Sequence, residues 1–170
     1  MIKSWMVIGG VTLAAGLLVQ LFMTPRGIKW FKRLRRPSWL TFEALIPLIW
    51  TTVFICGAWS ATLVWETLAK TEAGRPLAGI SESSQVWLFM GGYLLVELVT
   101  LAYSPGMMNS QSLKIGMAIG GTGGILALLL AIAVWQVSHA AAGLLVPYLL
   151  WSPVGTYTTW AMAQLNPQDA

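Results

Sequence analysis

Side chains that bind metals or form disulfides are nearly absent from this chain. Cys56 is its one cysteine and His139 its one histidine among 170 residues. A single cysteine supports neither an internal disulfide nor a Cys-based zinc site, and a lone histidine is a weak indicator of a metal site. We therefore predict no metal centre and interpret Cys56 as a small buried side chain.

Sequence motifs typical of enzymes are missing as well. The chain contains no G-x-S-x-G, no H-E-x-x-H, no paired carboxylates and no phosphate-binding loop. The residues themselves therefore assign no catalytic side chain.

Charge is scarce, and long apolar runs take its place. Charged residues make up 9% of the chain and hydrophobic residues 56%, whereas soluble domains carry about 25% charged residues. Five runs are each long enough for a helix that crosses a bilayer, which needs about 20 residues. They are Trp5–Met23, Leu45–Val64, Val86–Tyr103, Ile115–Val137 and Ala140–Ala163. Because lipid offers no hydrogen-bond partners, continuous apolar runs favour helices, and we predict a single all-α domain over residues 1–170, a five-transmembrane-helix bundle.

The basic residues predict the orientation of this bundle. Six of the ten Lys and Arg residues lie between the first and second runs: Arg26, Lys29, Lys32, Arg33, Arg35 and Arg36. The positive-inside rule places that loop in the cytoplasm, the N-terminus outside and the C-terminus in the cytoplasm. The next loop, which contains Glu72 and Arg75, is then outside. We expect the basic loop to contact membrane lipid, and we expect no nucleic-acid partner because exposed aromatics are not interleaved with these charges.

Small residues form stripes in two of the runs. The fourth run carries Gly116, Gly120 and Gly124 at four-residue spacing, which aligns them on one helix face and predicts close helix packing. The first run carries a less regular set: Gly9, Gly10, Ala14, Ala15 and Gly16. Spacing alone leaves open whether the partner helix belongs to the same chain or to a second protomer.

Aromatic residues are unusually frequent, with ten tryptophans. Trp50 and Phe54 are four residues apart and therefore share one helix face, which Ala58 and Ala61 continue. An aromatic face flanked by small residues suits a flat apolar ligand. Packing of bulky side chains in the core is the alternative.

Glu97 is the one acidic residue well inside an apolar run. A charged carboxylate at mid-membrane costs about 2.5 to 3.5 kcal/mol, so such residues usually face an interior or a cavity. On a helix Glu97 shares a polar face with Tyr93, Thr100 and Ser104. Two interpretations stay open: a proton or cation site, or a protonated residue that is hydrogen-bonded in the core.

Several stretches together resemble a known family. They are residues 30–39 (Trp-Phe-Lys-Arg-Leu-Arg-Arg-Pro-Ser-Trp), residues 47–51 (Pro-Leu-Ile-Trp-Thr) and residues 144–151 (Leu-Leu-Val-Pro-Tyr-Leu-Leu-Trp), with Ser104-Pro105 and Thr156-Tyr157. In this order they are similar to the tryptophan-rich sensory protein family, also called the translocator protein or peripheral benzodiazepine receptor family (TspO/MBR). The resemblance covers nearly the whole chain.

The resemblance implies a five-helix receptor, often a homodimer, that binds porphyrins and other tetrapyrroles inside the bundle, beneath the first loop. It implies no obligatory cofactor, with protoporphyrin IX or haem as ligand. Carried over by position, the pocket residues are Trp39, Pro47, Trp50, Phe54, Thr100, Tyr103 and Trp135. The candidate contacts for porphyrin propionates are Lys32, Arg33, Arg35 and Arg36.

Two departures from the family pattern affect the expected ligands. The family's Leu-Asn-x-x-Trp-Ser-Pro appears here with Thr100 in place of Asn and Tyr103 in place of Trp, which puts affinity for drug-like amides in doubt. No Lys or Arg follows Tyr157, which argues against a sterol function.

The expected function is a porphyrin receptor or sensor in a bacterial cell membrane, linked to tetrapyrrole homeostasis or the stress response. Two alternatives remain open. One is a transporter with Glu97 as the coupling carboxylate, and the other is a light-dependent enzyme that degrades porphyrin, as suggested for some relatives.

Overall fold

The fold is known from a computed structural model that describes residues 3–70 and 81–169. These residues contain helices and no β-strand. The α-helices are α1 Ser4–Val19, α2 Pro25–Arg33, α3 Ile46–Lys70, α4 Glu82–Ser110, α5 Leu113–Trp135, α6 His139–Gly143 and α7 Val146–Leu165. Short 3-10 turns occupy Gln20–Phe22, Glu43–Leu45 and Pro167–Asp169. Glu72 and Arg75 of the predicted outer loop lie outside the described residues.

Within the described residues, four helical stretches are long and apolar enough to cross a membrane. They are Ser4–Phe22, Glu43–Lys70, Ser84–Ser110 and Leu113–Trp135. They confirm the prediction of a helical membrane bundle. α7 is 20 residues long and uncharged, but it is less apolar because its sequence includes Pro, Gly, Ser and Thr.

The fifth apolar run does not form the single helix that we predicted from Ala140 to Ala163. It is divided into α6 and α7, with a break at residues 144 and 145. Pro147 occupies the first turn of α7. Proline has no backbone N–H and its ring clashes with the carbonyl four residues earlier, so it begins a helix more readily than it continues one.

Conversely, α4 continues past Tyr103, where the third run was predicted to end, and past Pro105 as well. Pro105 lies inside α4, which ends only at Ser110. Prolines are tolerated inside transmembrane helices because neighbouring groups satisfy the freed backbone. The helix is closed by Gln111, whose φ of 51° is left-handed, a common way to end a helix.

α2 is a short amphipathic helix inside the basic loop, which we predicted only as a charged connection. Thr24 caps it by accepting a hydrogen bond from the backbone N–H of Gly27 at 3.1 Å, and Pro25 fits the first turn. Lys32 and Arg33 lie in the last turn, where the helix dipole favours positive charge. The helix buries Trp30.

One end of the bundle joins α2 to the segment that follows α7, and we call it the capped end. Trp30 Nε1 donates to Asp169 Oδ1 at 2.6 Å. The backbone N–H of Arg35 donates to Asn166 Oδ1 at 2.9 Å, and Asn166 Nδ2 donates to the Arg35 carbonyl at 3.1 Å. At the other end of the bundle, Ser4 Oγ donates to Glu66 Oε1 at 3.1 Å.

The glycine stripe of α5 packs against helices of the same chain. A Cβ built on Gly116 would lie 2.7 Å from Met107 Sδ of α4, and a Cβ on Gly124 would lie 2.7 Å from Ser152 Oγ of α7. At Gly120 the nearest atom would be Oγ1 of α7's Thr156, at 2.9 Å. The alternative that the sequence left open is therefore decided, because this face is already filled from within the protomer.

Candidate functional site

A cavity of about 570 Å³ lies inside the bundle at the capped end. Phe31 of α2 and Leu40 and Glu43 of the following segment line one part of it. The remaining walls come from α1, α3, α4, α5 and α7. Its volume falls within the range of about 300 to 1,000 Å³ that is typical of small-molecule pockets. We call it the main cavity.

Trp50 is the centre of an aromatic wall in the main cavity. Its ring centroid lies 6.0 Å from that of Phe54, 6.3 Å from that of Tyr148 and 6.5 Å from that of Trp151. The last two contacts are edge-to-face, at interplanar angles of 70° and 88°, a favourable geometry for aromatic pairs. All four rings line the cavity, so this wall presents a large, stiff apolar surface.

Four of the eight hydroxyl groups that line the cavity bond to each other in two pairs. Tyr148 Oη and Thr100 Oγ1 lie 2.7 Å apart, and Thr100 donates to the Val96 carbonyl at 2.7 Å. Tyr103 and Thr159 form a similar pair. Because these groups have partners within the protein, the wall suits an apolar ligand better than a strongly polar one.

Five of the seven predicted pocket residues lie together in the main cavity: Pro47, Trp50, Phe54, Thr100 and Tyr103. Trp39 does not line it. Its side chain is 41% exposed and its ring stacks on Tyr157, with the centroids 5.7 Å apart.

Trp135 is also outside the main cavity, at the opposite end of the bundle. It is the last residue of α5, about 33 Å along the helix from Leu113 at the capped end. Its ring is 53% exposed and lies 4.2 Å from that of His139. His139 lines neither this cavity nor the smaller one described below.

Of the four predicted propionate contacts, Arg36 is the one bonded to a residue that lines the cavity. Arg36 Nε donates to Glu43 Oε1 at 3.1 Å, and the guanidinium lies over the Phe31 ring, 4.6 Å from its centroid. Arg33 pairs with Asp169. The two others, Lys32 and Arg35, are exposed.

The comparison with known proteins identifies the family. The model of the TspO/MBR family matches residues 8–165. The chain belongs to the TspO/MBR family. It is 29% identical over 159 residues to the tryptophan-rich protein TspO of Chlorobaculum tepidum, which covers 93% of this chain and 92% of that protein. It is 30% identical over 165 residues to the translocator protein of Sus scrofa (89% and 85%) and 26% identical over 137 residues to TspO of Bacillus cereus (81% and 80%).

α7 supplies cavity residues of this TspO/MBR protein that the sequence analysis missed. Tyr148, Trp151, Ser152, Gly155 and Thr159 all line the main cavity. Their spacing of three and four residues places them on one helix face. The signal was present in the sequence, but the hydroxyls and glycine obscured it because they do not form an apolar or aromatic stripe.

Glu97, the predicted intramembrane polar residue, lies outside the main cavity of the TspO/MBR protein. It lines a smaller chamber of about 70 Å³ next to it. Thr12 Oγ1 of α1 donates to Glu97 Oε2 at 3.3 Å. Its neighbour on the same helix face, Tyr93, bonds to Ser60 of α3 at 2.6 Å.

Proposed function

We propose that this TspO/MBR protein is a membrane receptor that binds porphyrins and related tetrapyrroles in the main cavity. The aromatic wall around Trp50 is the observation that carries the proposal. A flat macrocycle stacks favourably on such rings, each contact contributing about 0.5 to 1.5 kcal/mol beyond the burial of apolar area. The volume of about 570 Å³ suits a ligand of drug-like size or somewhat larger.

The propionate groups of the ligand are proposed to lie at the capped end. Glu43 lines the main cavity there and Arg36 is bonded to it. A propionate that replaced Glu43 as the partner of Arg36 would gain charge-assisted hydrogen bonds from the guanidinium. Sensing is the proposed role, because a receptor needs no catalytic residue and the sequence assigns none.

The proposed topology is five spans, with the capped end in the cytoplasm and the start of α1 outside. The Trp30–Asp169 hydrogen bond places residues 30 and 169 at one end of the bundle. Four long helices, α3, α4, α5 and α7, run between these residues, an even number, as two positions on the same side require. The basic residues at this end favour the cytoplasm of a bacterial cell. A homodimer remains our proposal, with an interface other than the filled stripe of α5.

Titration with protoporphyrin IX tests the proposed ligand. We expect Trp50→Ala to weaken binding by roughly 5- to 150-fold, equivalent to about 1 to 3 kcal/mol for one ring and its buried area. The purified protein is placed in lipid nanodiscs, and the measurement is the quenching of its tryptophan fluorescence as protoporphyrin IX is added. Trp135→Ala is the matched control, since it removes the same side chain at the opposite end. Equal affinities of the two variants and the parent protein would refute the proposal.

The alternatives can be tested on the same sample. A transporter coupled through Glu97 finds less support, because that carboxyl lines the smaller chamber rather than the main cavity. Proton-dependent uptake of porphyrin into vesicles would favour it. Light-dependent loss of the porphyrin absorbance, in the presence of oxygen and absent from empty nanodiscs, would favour the degrading enzyme.

A further inference from the structure

The smaller chamber adjoins the main cavity at the centre of the bundle. Phe54, Thr100 and Tyr148 line both spaces, so a ligand in one can extend a group into the other. The chamber encloses about 70 Å³. A water molecule needs about 10 to 15 Å³ of such space, so there is room for an ammonium group.

The chamber contains a carboxyl group that is only partly satisfied. Glu97 Oε2 accepts one hydrogen bond, from Thr12. Glu97 Oε1 is buried and has no hydrogen-bond partner among residues 3–70 and 81–169. No Lys, Arg or His of these residues lines the chamber. Glu97 Oε1 can therefore accept a hydrogen bond from a group that enters the chamber from outside the protein, and polar groups in the hydrocarbon usually have such a partner or a function.

Aromatic rings complete a recognition site for such a cation. Phe54, Tyr93 and Tyr148 line the chamber together with Glu97. An ammonium ion is attracted to the faces of aromatic rings, and a carboxylate accepts its N–H groups. The hydroxyls of Tyr93 and Tyr148 are already bonded to Ser60 and Thr100, which leaves Glu97 as the strongest free acceptor.

We propose that this chamber binds the ammonium group of an amphiphilic amine whose flat apolar body lies in the main cavity. The ligand class differs from the anionic tetrapyrroles, and the inference rests on the two adjoining spaces rather than on tetrapyrrole binding. The carboxylate provides the selectivity for the amine, and the aromatic wall provides affinity for its body.

The test compares 1-pyrenemethylamine with its neutral analogue 1-pyrenemethanol, which share the same flat body. Both are titrated into the full chain in lipid nanodiscs by pyrene fluorescence, with empty nanodiscs as the partition baseline. We expect the amine to bind at least about tenfold more tightly than the alcohol, as hydrogen bonds to a charged group predict. Glu97→Gln removes this preference. Glu66→Gln, at the far end of α3, keeps it.

A second variant does not change the carboxyl at all. Gly57 lines the chamber, and a Cβ at this position would meet nothing within 4 Å. We therefore expect Gly57→Leu to occupy part of the chamber and to abolish the preference for the amine, with retention of the fold checked by circular dichroism.

Two results would overturn the proposal: equal affinities of the amine and the alcohol for the parent protein, or a preference that survives in either Glu97→Gln or a folded Gly57→Leu. Protoporphyrin IX is titrated in parallel to separate this proposal from the receptor function. Glu97→Gln should leave porphyrin affinity within about twofold, since the carboxyl is outside the main cavity. Absence of porphyrin binding with the amine preference intact would refute the receptor function alone.

Discussion

α1 and α5 are both long, apolar and rich in glycine, yet they occupy the fold in opposite ways. α5 buries seven of its residues, whereas α1 buries none. The glycines at 116, 120 and 124 in α5 lie against side chains of α4 and α7, whereas a Cβ on Gly9, Gly10 or Gly16 of α1 would meet nothing within 4 Å. Glycine thus permits close approach, but a neighbouring side chain of matching shape is needed to use it.

The difference arises from what faces each helix. α5 lies between α4 and α7, and hydroxyl-bearing residues such as Ser152 and Thr156 fill the grooves that its glycines leave. α1 packs mainly against α3 and α4 and is joined to them by polar contacts, Ser4 with Glu66 and Thr12 with Glu97. Small residues in a membrane helix therefore do not by themselves show that another helix packs closely against them; the neighbouring helix must also be known.

The largest expected effect comes from adding a side chain to the filled stripe. Gly124→Leu would place a branched side chain where even a Cβ lies 2.7 Å from Ser152 Oγ, so we expect a loss of about 3 kcal/mol in the free energy of unfolding. Titration of the reconstituted protein with SDS, followed by circular dichroism, measures it.

Gly10→Leu is the control in α1, and we expect it to change the free energy of unfolding by no more than about 0.5 kcal/mol. Equal losses in the two variants would mean that the contrast between the helices is not one of packing.

An intermediate effect is expected at the capped end. There α2 buries Trp30 and bonds it to Asp169, whereas α1 buries no residue. Asp169→Ala removes the acceptor of the buried Trp30 Nε1–H and of Arg33, and a lost hydrogen bond to a charged group costs about 1.5 to 3 kcal/mol. The same SDS titration measures this loss.

Arg33→Ala separates the two partners of Asp169. Its side chain is 65% exposed, so the ion pair contributes at most about 1 kcal/mol. If Arg33→Ala destabilised the protein as much as Asp169→Ala, the ion pair rather than the Trp30 hydrogen bond would stabilise the capped end.

The smallest effect is expected in α1 itself. Thr12→Val keeps the shape of the side chain and removes its hydrogen bond to Glu97. Hydrogen bonds between transmembrane helices contribute about 0.6 kcal/mol on average, so the unfolding curve should shift only slightly. A loss as large as that of Asp169→Ala would show that α1 is held firmly through this one contact.

The long helices and the aromatic face were predictable because they depend on local pattern. An apolar run of about 20 residues predicts its own helix, and the spacing of Trp50 and Phe54 fixes their common face. Trp135 was wrongly assigned to the pocket by the resemblance alone, since the predicted run from Ile115 to Val137 already puts it near the end far from the basic loop. The helices that pack against the glycine stripe could be identified only from the structure, because residue spacing describes one helix and not its neighbour.

α2 was missed for a different physical reason. Its basic residues indicate orientation and headgroup contact, and that signal obscured a capped amphipathic helix with Pro25 in its first turn. The Thr24-Pro25 pair at its start is the cue that was available.

The order of synthesis determines when the hydrogen bond between Trp30 and Asp169 can form. The two residues are 139 positions apart, and ribosomes add about 5 to 20 residues per second. Roughly 7 to 28 s therefore pass between the emergence of the indole and that of its acceptor. During this interval α2 can contact α4, but its indole N–H lacks the Asp169 acceptor. The capped end is therefore completed by a residue that is made only after all seven α-helices.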